Sequence, residues 1–108
     1  MTIRVDGTRR QLAHGVDRAA YRILQEALTN AARHGGGKAV AEIDYGRDAL
    51  ELTVTNPATG EGLSQDGHGI VGMRERTTLL GGTLEAGASG GNFRVRASLP
   101  YGGGERRG

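Results

Sequence analysis

One long apolar periodicity constrains the fold of this chain more than any other feature of its sequence. From Val16 onward, apolar residues recur at spacings of three and four, which places them on one side of a helix. They are Val16, Ala20, Ile23, Leu24, Ala27, Leu28 and Ala31. Three glycines at 35–37 end the pattern, as glycine commonly does at a helix C-terminus. The sequence therefore predicts one long amphipathic helix whose apolar side a second layer must cover.

Outside this helix, apolar and polar residues alternate over short stretches, which is typical of half-buried strands. The predicted strands cover residues 2–6, 38–45, 50–56, 83–86 and 93–99. Gly46-Arg47-Asp48 predicts a hairpin turn, Pro57 closes the strand before it, and residues 87–91 predict a glycine-rich turn.

A second helix is predicted from Gly69 or Ile70 to Leu80, where Gly81-Gly82 stops it. Its inward positions are expected at Ile70, Met73, Leu79 and Leu80. The element order predicts an α+β fold, a two-layer α/β sandwich with a mixed, mostly antiparallel sheet and the helices on one face.

Composition limits the classes of function. The 108 residues allow a single core, and the absence of cysteine excludes disulfides, thiol catalysis and cysteine-based zinc sites. The net charge is only +2, and the 14 basic residues are dispersed among the 12 acidic ones. One Phe, three Tyr and no Trp offer few surfaces for base stacking. We therefore expect no nucleic-acid partner. The domain is predicted to span residues 1–100, with a disordered Gly/Arg tail over 101–108.

A polar stripe follows the edge of the apolar side of the first helix. Glu26, Asn30 and His34 are spaced i, i+4, i+8, where side chains are half buried against a neighbouring element. Their oxygen and nitrogen atoms could hold a hydrated Mg²⁺ and its phosphates. Hydrogen bonds to backbone or water would satisfy the same side chains, and the helix alone leaves both interpretations open.

The second motif is Gly67-His68-Gly69-Ile70-Val71-Gly72, formally G-x-G-x-x-G. No buried strand precedes it and no Gly-Lys-Ser/Thr follows it, so it is neither a dinucleotide-binding fingerprint nor a Walker A loop. Glycines before a helix N-terminus let the backbone approach an anion. A flexible loop with a glycine-rich helix start is the alternative.

Taken together and in this order, the two motifs resemble a known family. Residues 23–34 (ILQEALTNAARH) resemble the N-box of the ATP-binding domain of sensor histidine kinases. Residues 67–76 (GHGIVGMRER), followed by LLGG, resemble the second glycine box and lid helix, and residues 90–95 (GGNFRV) are similar to the last box. The most similar subgroup is that of nitrate-type and membrane-fluidity-type sensors, within the gyrase, Hsp90, histidine kinase and MutL superfamily.

The resemblance implies a Bergerat-type ATP-binding fold and the cofactors ATP and Mg²⁺. Asn30 would bind Mg²⁺, and Glu26 would orient or deprotonate the nucleophile. Arg33 and His34 would lie towards the phosphates. The closing part of the ATP lid would be formed by Gly67, His68, Gly69 and Gly72, after a mobile loop at 57–66. The implied reaction is transfer of the γ-phosphoryl group to a histidine, which makes the chain a protein kinase domain.

The sequence departs from the family in two respects. Asn56-Pro57 stands where the family has Asp-x-Gly, so Asn56 would contact adenine without a charge, or would merely cap a turn. The dimerisation helices that carry the acceptor histidine do not precede Val16. We therefore expect an excised catalytic domain, monomeric and slow by itself. Its partners would be ATP, the parent's dimerisation domain and, through that domain, a response regulator.

The parent's catalytic part is expected in the cytoplasm, with a membrane anchor possible elsewhere in the parent. A degenerate nucleotide-binding or docking module without catalysis is the alternative function, and Asn56-Pro57 is the feature that favours it.

Overall fold

The computed structural model describes residues 2–34, 38–57 and 67–101, although not the side chains of residues 30–34, 67–70 and 89. Within these ranges the chain forms five strands and two helices. In order they are β1 (Thr2–Gly7), α1 (His14–His34), β2 (Val40–Tyr45), β3 (Ala49–Pro57), α2 (Gly67–Leu79), β4 (Thr83–Ser89) and β5 (Asn92–Pro100). The predicted order of elements is confirmed, and both helices begin two or more residues earlier than predicted.

The strands form one mixed sheet in the order β1-β2-β3-β5-β4. β1 and β2 pair in parallel, whereas the other three pairs are antiparallel. A parallel pair needs a crossover connection, and α1 provides it between β1 and β2. The predicted mixed, mostly antiparallel sheet is therefore confirmed.

The core lies between α1 and the central strands. Val16, Ala19, Ala20, Ile23 and Ala27 are buried on α1. Alternate residues of β3 and β5 face them, and these are Leu50, Leu52, Val54, Phe93, Val95, Ala97 and Leu99. The periodicity of the sequence identified four of the five buried α1 positions and missed Ala19. Both helices pack on this face of the sheet.

The inward positions of α2 are only partly as predicted. Met73 is buried and Leu80 packs against the core, but Leu79 is 83% exposed, so its predicted inward position is wrong. The polar Thr77 occupies the buried position instead, four residues after Met73 on the same side of the helix. Its hydroxyl donates to the Met73 carbonyl at 2.7 Å, which satisfies the buried oxygen.

Two turns have a stereochemical cause in the sequence. Gly90 and Gly91 alone connect β4 to β5, with φ values of +59° and +83°, so the predicted turn over residues 87–91 is shorter and both strands are longer. Positive φ at both positions is what a tight two-residue hairpin requires. At Gly82, a Cβ would lie 2.1 Å from the Ser98 carbonyl oxygen, so only glycine fits against β5.

Tyr101, the first residue of the predicted tail, is held against the β2–β3 turn. Its hydroxyl donates to the Gly46 carbonyl at 2.7 Å, and the Arg10 guanidinium lies 3.8 Å from the ring centroid. Burial raises the pKa of the Tyr101 hydroxyl. Residues 102–108 lie outside the described residues.

Candidate functional site

The candidate residues come from elements that meet at one end of the sheet. α1 starts beside the end of α2, since a Cβ on Gly15 would lie 3.2 Å from the Leu80 side chain. It then runs back to the start of β2, and Val40 there pairs with Thr55 near the end of β3. α2 follows β3 in the chain and ends just before β4. The first residue of β4, Thr83, pairs with Ser98, which also pairs with Glu51 near the start of β3, so α2 ends at the far end of the sheet. The C-terminus of α1, the C-terminus of β3 and the N-terminus of α2 therefore share this end, which we call the site end.

The N-box residues occupy the last three turns of α1. The side chain of Glu26 is half buried, as predicted for the edge of the apolar side. Asn30, Arg33 and His34 follow on the same helix as it approaches the site end, and their side chains lie outside the described part of the structure. Along the α1 backbone, Asn30 lies one turn beyond Glu26.

Asn56 lies at the end of β3 with its side chain on the helix-covered face. It is 3% exposed and stands directly opposite Phe93 of β5. The side-chain nitrogen donates to the Pro57 carbonyl at 2.8 Å. Among the residues that the structure describes, no donor reaches the Asn56 side-chain oxygen. The side-chain oxygen of an amide is a hydrogen-bond acceptor, whereas its nitrogen is a donor.

The glycine motif forms the first turns of α2. Gly67, His68 and Gly69 are its first three residues, and the His68 side chain lies outside the part of the chain that the structure describes. A helix N-terminus presents unpaired N–H groups and the positive end of the helix dipole. Gly72, the sixth residue of α2, is exposed, and nothing in the described part of the chain lies within 4 Å of where its Cβ would be. The backbone of α2 therefore has open space beside it at this position.

The β4–β5 turn also lies at the site end, although its sequence by itself predicts no site residue there. Gly90 and Gly91 follow Ser89, which pairs with Asn92, and Asn92 in turn stands opposite Pro57. Phe93, 7% exposed, lies next to Asn56 in the same layer. The similarity of residues 90–95 to the family's last box was the available signal, but only the pairing of β3 with β5 shows that this segment borders the site.

Comparisons with known proteins agree with this arrangement. No family model matches the chain. It is 38% identical over 87 residues, 79% of its length, to the sensor histidine kinase YxjM of Bacillus subtilis. Over 83 residues, 74% of its length, it is 39% identical to the signal transduction histidine-protein kinase/phosphatase UhpB of Salmonella typhimurium. The chain belongs to the sensor histidine kinase family. It spans 21% of YxjM and 16% of UhpB, so it corresponds to a part of these relatives.

Solved structures of histidine kinases share the fold. The histidine kinase domain of the blue-light activated kinase from Erythrobacter litoralis matches with a TM-score of 0.69 at 18% identity, over 93% of this chain and 54% of that one. The histidine kinase AdeS of Acinetobacter baumannii matches with a TM-score of 0.67 at 18% identity, over 93% of this chain and 54% of that one. The catalytic domain of the kinase ThkA gives 0.63 at 14% identity, over 93% of this chain and 79% of that chain. At this identity the likeness shows the fold alone.

The predicted family and fold are thus confirmed, while the nitrate-type and membrane-fluidity-type subgroup stays a prediction. The roles of the individual site residues also stay predictions. Across the described residues, neither helix is both long and apolar enough to span a membrane.

Proposed function

We propose that this chain is the ATP-binding catalytic domain of its parent sensor kinase and that it transfers the γ-phosphoryl group of ATP to a histidine on the parent's dimerisation domain. The observation that carries the proposal is the buried Asn56 at the site end. Its side-chain oxygen has no donor among the described residues, and the adenine amino group would supply one. Guanine carries a carbonyl oxygen at that ring position, so a site of this kind favours adenine.

The phosphates would lie between α1 and the start of α2. The N–H groups and the dipole of the α2 N-terminus favour an anion there, and the open space at Gly72 allows close approach to the backbone. Gly67, His68 and Gly69 precede it in the same two turns. We assign these residues to the closing part of the lid, and Arg33 and His34 to the phosphate side of α1.

The reaction breaks the bond between the γ-phosphorus and the oxygen that bridges it to ADP, and it forms a bond from that phosphorus to an imidazole nitrogen. The attacking nitrogen uses its lone pair, so the other imidazole nitrogen must release its proton, and the half-buried carboxylate of Glu26 is the proposed acceptor. Asn30, one turn later, would hold Mg²⁺ through its amide oxygen, and the ion would offset the negative charge of the phosphates. The protein otherwise acts by positioning the reactants.

The substitution Asn30→Ala tests this assignment, with Thr29→Ala as the matched control. Thr29 is the preceding residue, it is exposed, and its hydroxyl only donates to the Gln25 carbonyl at 2.8 Å. We expect calorimetric titration with a non-hydrolysable ATP analogue in the presence of Mg²⁺ to show an affinity at least about tenfold lower for Asn30→Ala. Thr29→Ala should keep the wild-type affinity.

Denaturant unfolding should show that both variants are folded. Unchanged affinity in a folded Asn30→Ala variant would contradict the role of Asn30. Wild-type protein that binds no nucleotide in this titration would favour the docking module instead.

A further inference from the structure

The exposed edge of the sheet at β1 has features of a pairing surface. β1 is the first strand in the sheet order, and among the described residues no strand pairs with its other side. Ile3 and Val5 point to the helix-covered face, opposite Ala41 and Ile43 of β2, yet they are 54% and 45% exposed. α1 packs on β3 and β5 and leaves them uncovered. An unpaired strand with exposed apolar residues is a template for another strand.

The opposite edge of the sheet is partly occupied. On β4, the Leu84 carbonyl accepts a hydrogen bond from the Nε of Arg74 on α2 at 3.2 Å. This side chain occupies one backbone acceptor that another strand would need. Among the described residues no side chain occupies the edge of β1 in this way, so β1 is the more open edge.

The outer face of the sheet carries a row of three carboxylates next to β1. Asp6, Asp44 and Glu51 are direct cross-strand neighbours on β1, β2 and β3. In the described part of the chain, the ion pair found joins Arg4 to Glu42 at 3.8 Å, and no cation reaches the three carboxylates. They do not form a metal site either, since no cluster of three acidic or histidine side chains among the described residues is suitably arranged. Like charges directly opposite each other destabilise a sheet, so a cation beside Asp6 would be favourable.

Backbone directions restrict how a strand can add to β1. The Thr2 N–H donates to the Ala39 carbonyl at 2.9 Å, so Thr2 points its backbone groups towards β2. The backbone N–H and C=O groups of successive residues in a strand point to alternate sides. Those of Ile3, Val5 and Gly7 therefore point to the free edge of β1. An antiparallel second copy must pair these odd-numbered residues with one another.

Charge selects one register from those that remain. Pairing Val5 with Val5 of the second copy places Arg4 opposite Asp6 twice, and Ile3 opposite Gly7. A shift of two residues in one direction places Arg4 opposite Arg4, and the shift in the other direction places Asp6 opposite Asp6. Only the register centred on Val5 is complementary in charge, and it brings an Arg4 to each Asp6 of the acidic row.

We infer that two copies of this chain associate through antiparallel pairing of their β1 strands, centred on Val5, with reciprocal Arg4–Asp6 ion pairs. The arrangement has a two-fold axis and joins the two sheets into one. Because only a short strand is paired, the association is weak. The inference differs from the expectation of a monomer, and the oligomeric state decides between them.

Charge reversal tests the pairing on the full 108-residue chain. In sedimentation experiments over a range of concentrations, Arg4→Asp and Asp6→Arg should each weaken self-association at least about tenfold, because each variant places like charges opposite each other twice. An equimolar mixture of the two variants should associate again, since both ion pairs re-form between unlike chains. Recovery in the mixture also shows that the variants are folded. As a control, Glu42→Gln removes the partner of Arg4 within the chain and should leave association unchanged.

A cysteine substitution tests the register, and the absence of native cysteine makes the result easy to read. Val5→Cys would place two Cα atoms about 5.5 Å apart, within disulfide range. Ile3→Cys is the matched control on the same face of β1, where the two cysteines would be about 13 Å apart. Mild oxidation should cross-link Val5→Cys and not Ile3→Cys. A monomer at all concentrations, or equal cross-linking of the two variants, would overturn the inference.

Discussion

The two helices lie side by side on the same face of the sheet, but they are attached to it differently. α1 buries five apolar residues, spread from Val16 to Ala27, against the central strands. α2 buries Met73 and Thr77 in its second half, whereas Val71 is 52% exposed and Leu79 is 83% exposed. The difference teaches that α1 is anchored in the core from Val16 to Ala27, whereas α2 contributes two buried side chains among its described residues. In the proposed nucleotide site, α1 would therefore supply the more rigid wall.

The comparison predicts, first, that equivalent truncations differ most in their effect on stability. Ile23→Ala removes a side chain that is 1% exposed on α1, and it should lower the free energy of unfolding by about 2–5 kcal/mol. Leu79→Ala on α2 should change it by no more than about 0.5 kcal/mol, because this side chain already faces solvent. Urea unfolding measures both. Equal losses in the two variants would show that α2 is as tightly packed as α1.

A second pair of variants separates the two ends of α2. Gly82→Ala follows the helix, where a Cβ would collide with the Ser98 carbonyl, and it should cost about 1–3 kcal/mol of stability. Gly72→Ala has open space, so it should raise stability by up to about 1 kcal/mol through helix propensity.

The same Gly72→Ala variant should nevertheless bind the ATP analogue more weakly, since its methyl group would occupy the space that we assign to the phosphates. Calorimetry measures the affinity, and urea unfolding measures the stability. A Gly72→Ala variant with wild-type affinity would remove this part of α2 from the proposed site.

The smallest expected change in binding concerns Asn56 on β3. Asn56→Asp loses the hydrogen bond from the side chain to the Pro57 carbonyl and places a carboxylate at a position that is 3% exposed, at a cost of at least about 1–3 kcal/mol in stability. Adenine nucleotides should nevertheless bind a few-fold tighter, because a carboxylate accepts a stronger hydrogen bond than an amide oxygen. The control is Thr55→Asp, which places the new charge on the opposite face of β3, opposite Arg94. Equal or weaker nucleotide binding by Asn56→Asp would mean that this residue does not face the base.

Sequence reasoning succeeded where the structure depends on local periodicity. The spacing of apolar residues from Val16 to Ala27 was sufficient to predict α1 and most of its buried side. It failed for Leu79, because the few apolar residues of α2 do not fall on one side and the buried position belongs to Thr77. A threonine that satisfies its own hydroxyl through the Met73 carbonyl carries no apolar signal.

Features that depend on pairing between distant strands were beyond the sequence. The placement of Phe93 beside Asn56 follows from the register of β3 and β5, which are separated by α2 and β4 in the chain. The charge pattern of β1 likewise has no meaning until its parallel pairing with β2 fixes which backbone groups face outward. The site motifs themselves were recognised only as a pair, since each alone had an ordinary structural explanation.

The most direct test of the account is a calorimetric titration of the wild-type domain with non-hydrolysable analogues of ATP and GTP, each with and without Mg²⁺. The account predicts that the ATP analogue binds with a Kd of about micromolar, that this binding depends on Mg²⁺, and that the GTP analogue binds far more weakly. Absence of binding at millimolar ATP analogue, or equal affinity for the two bases, would contradict the proposed adenine site at Asn56.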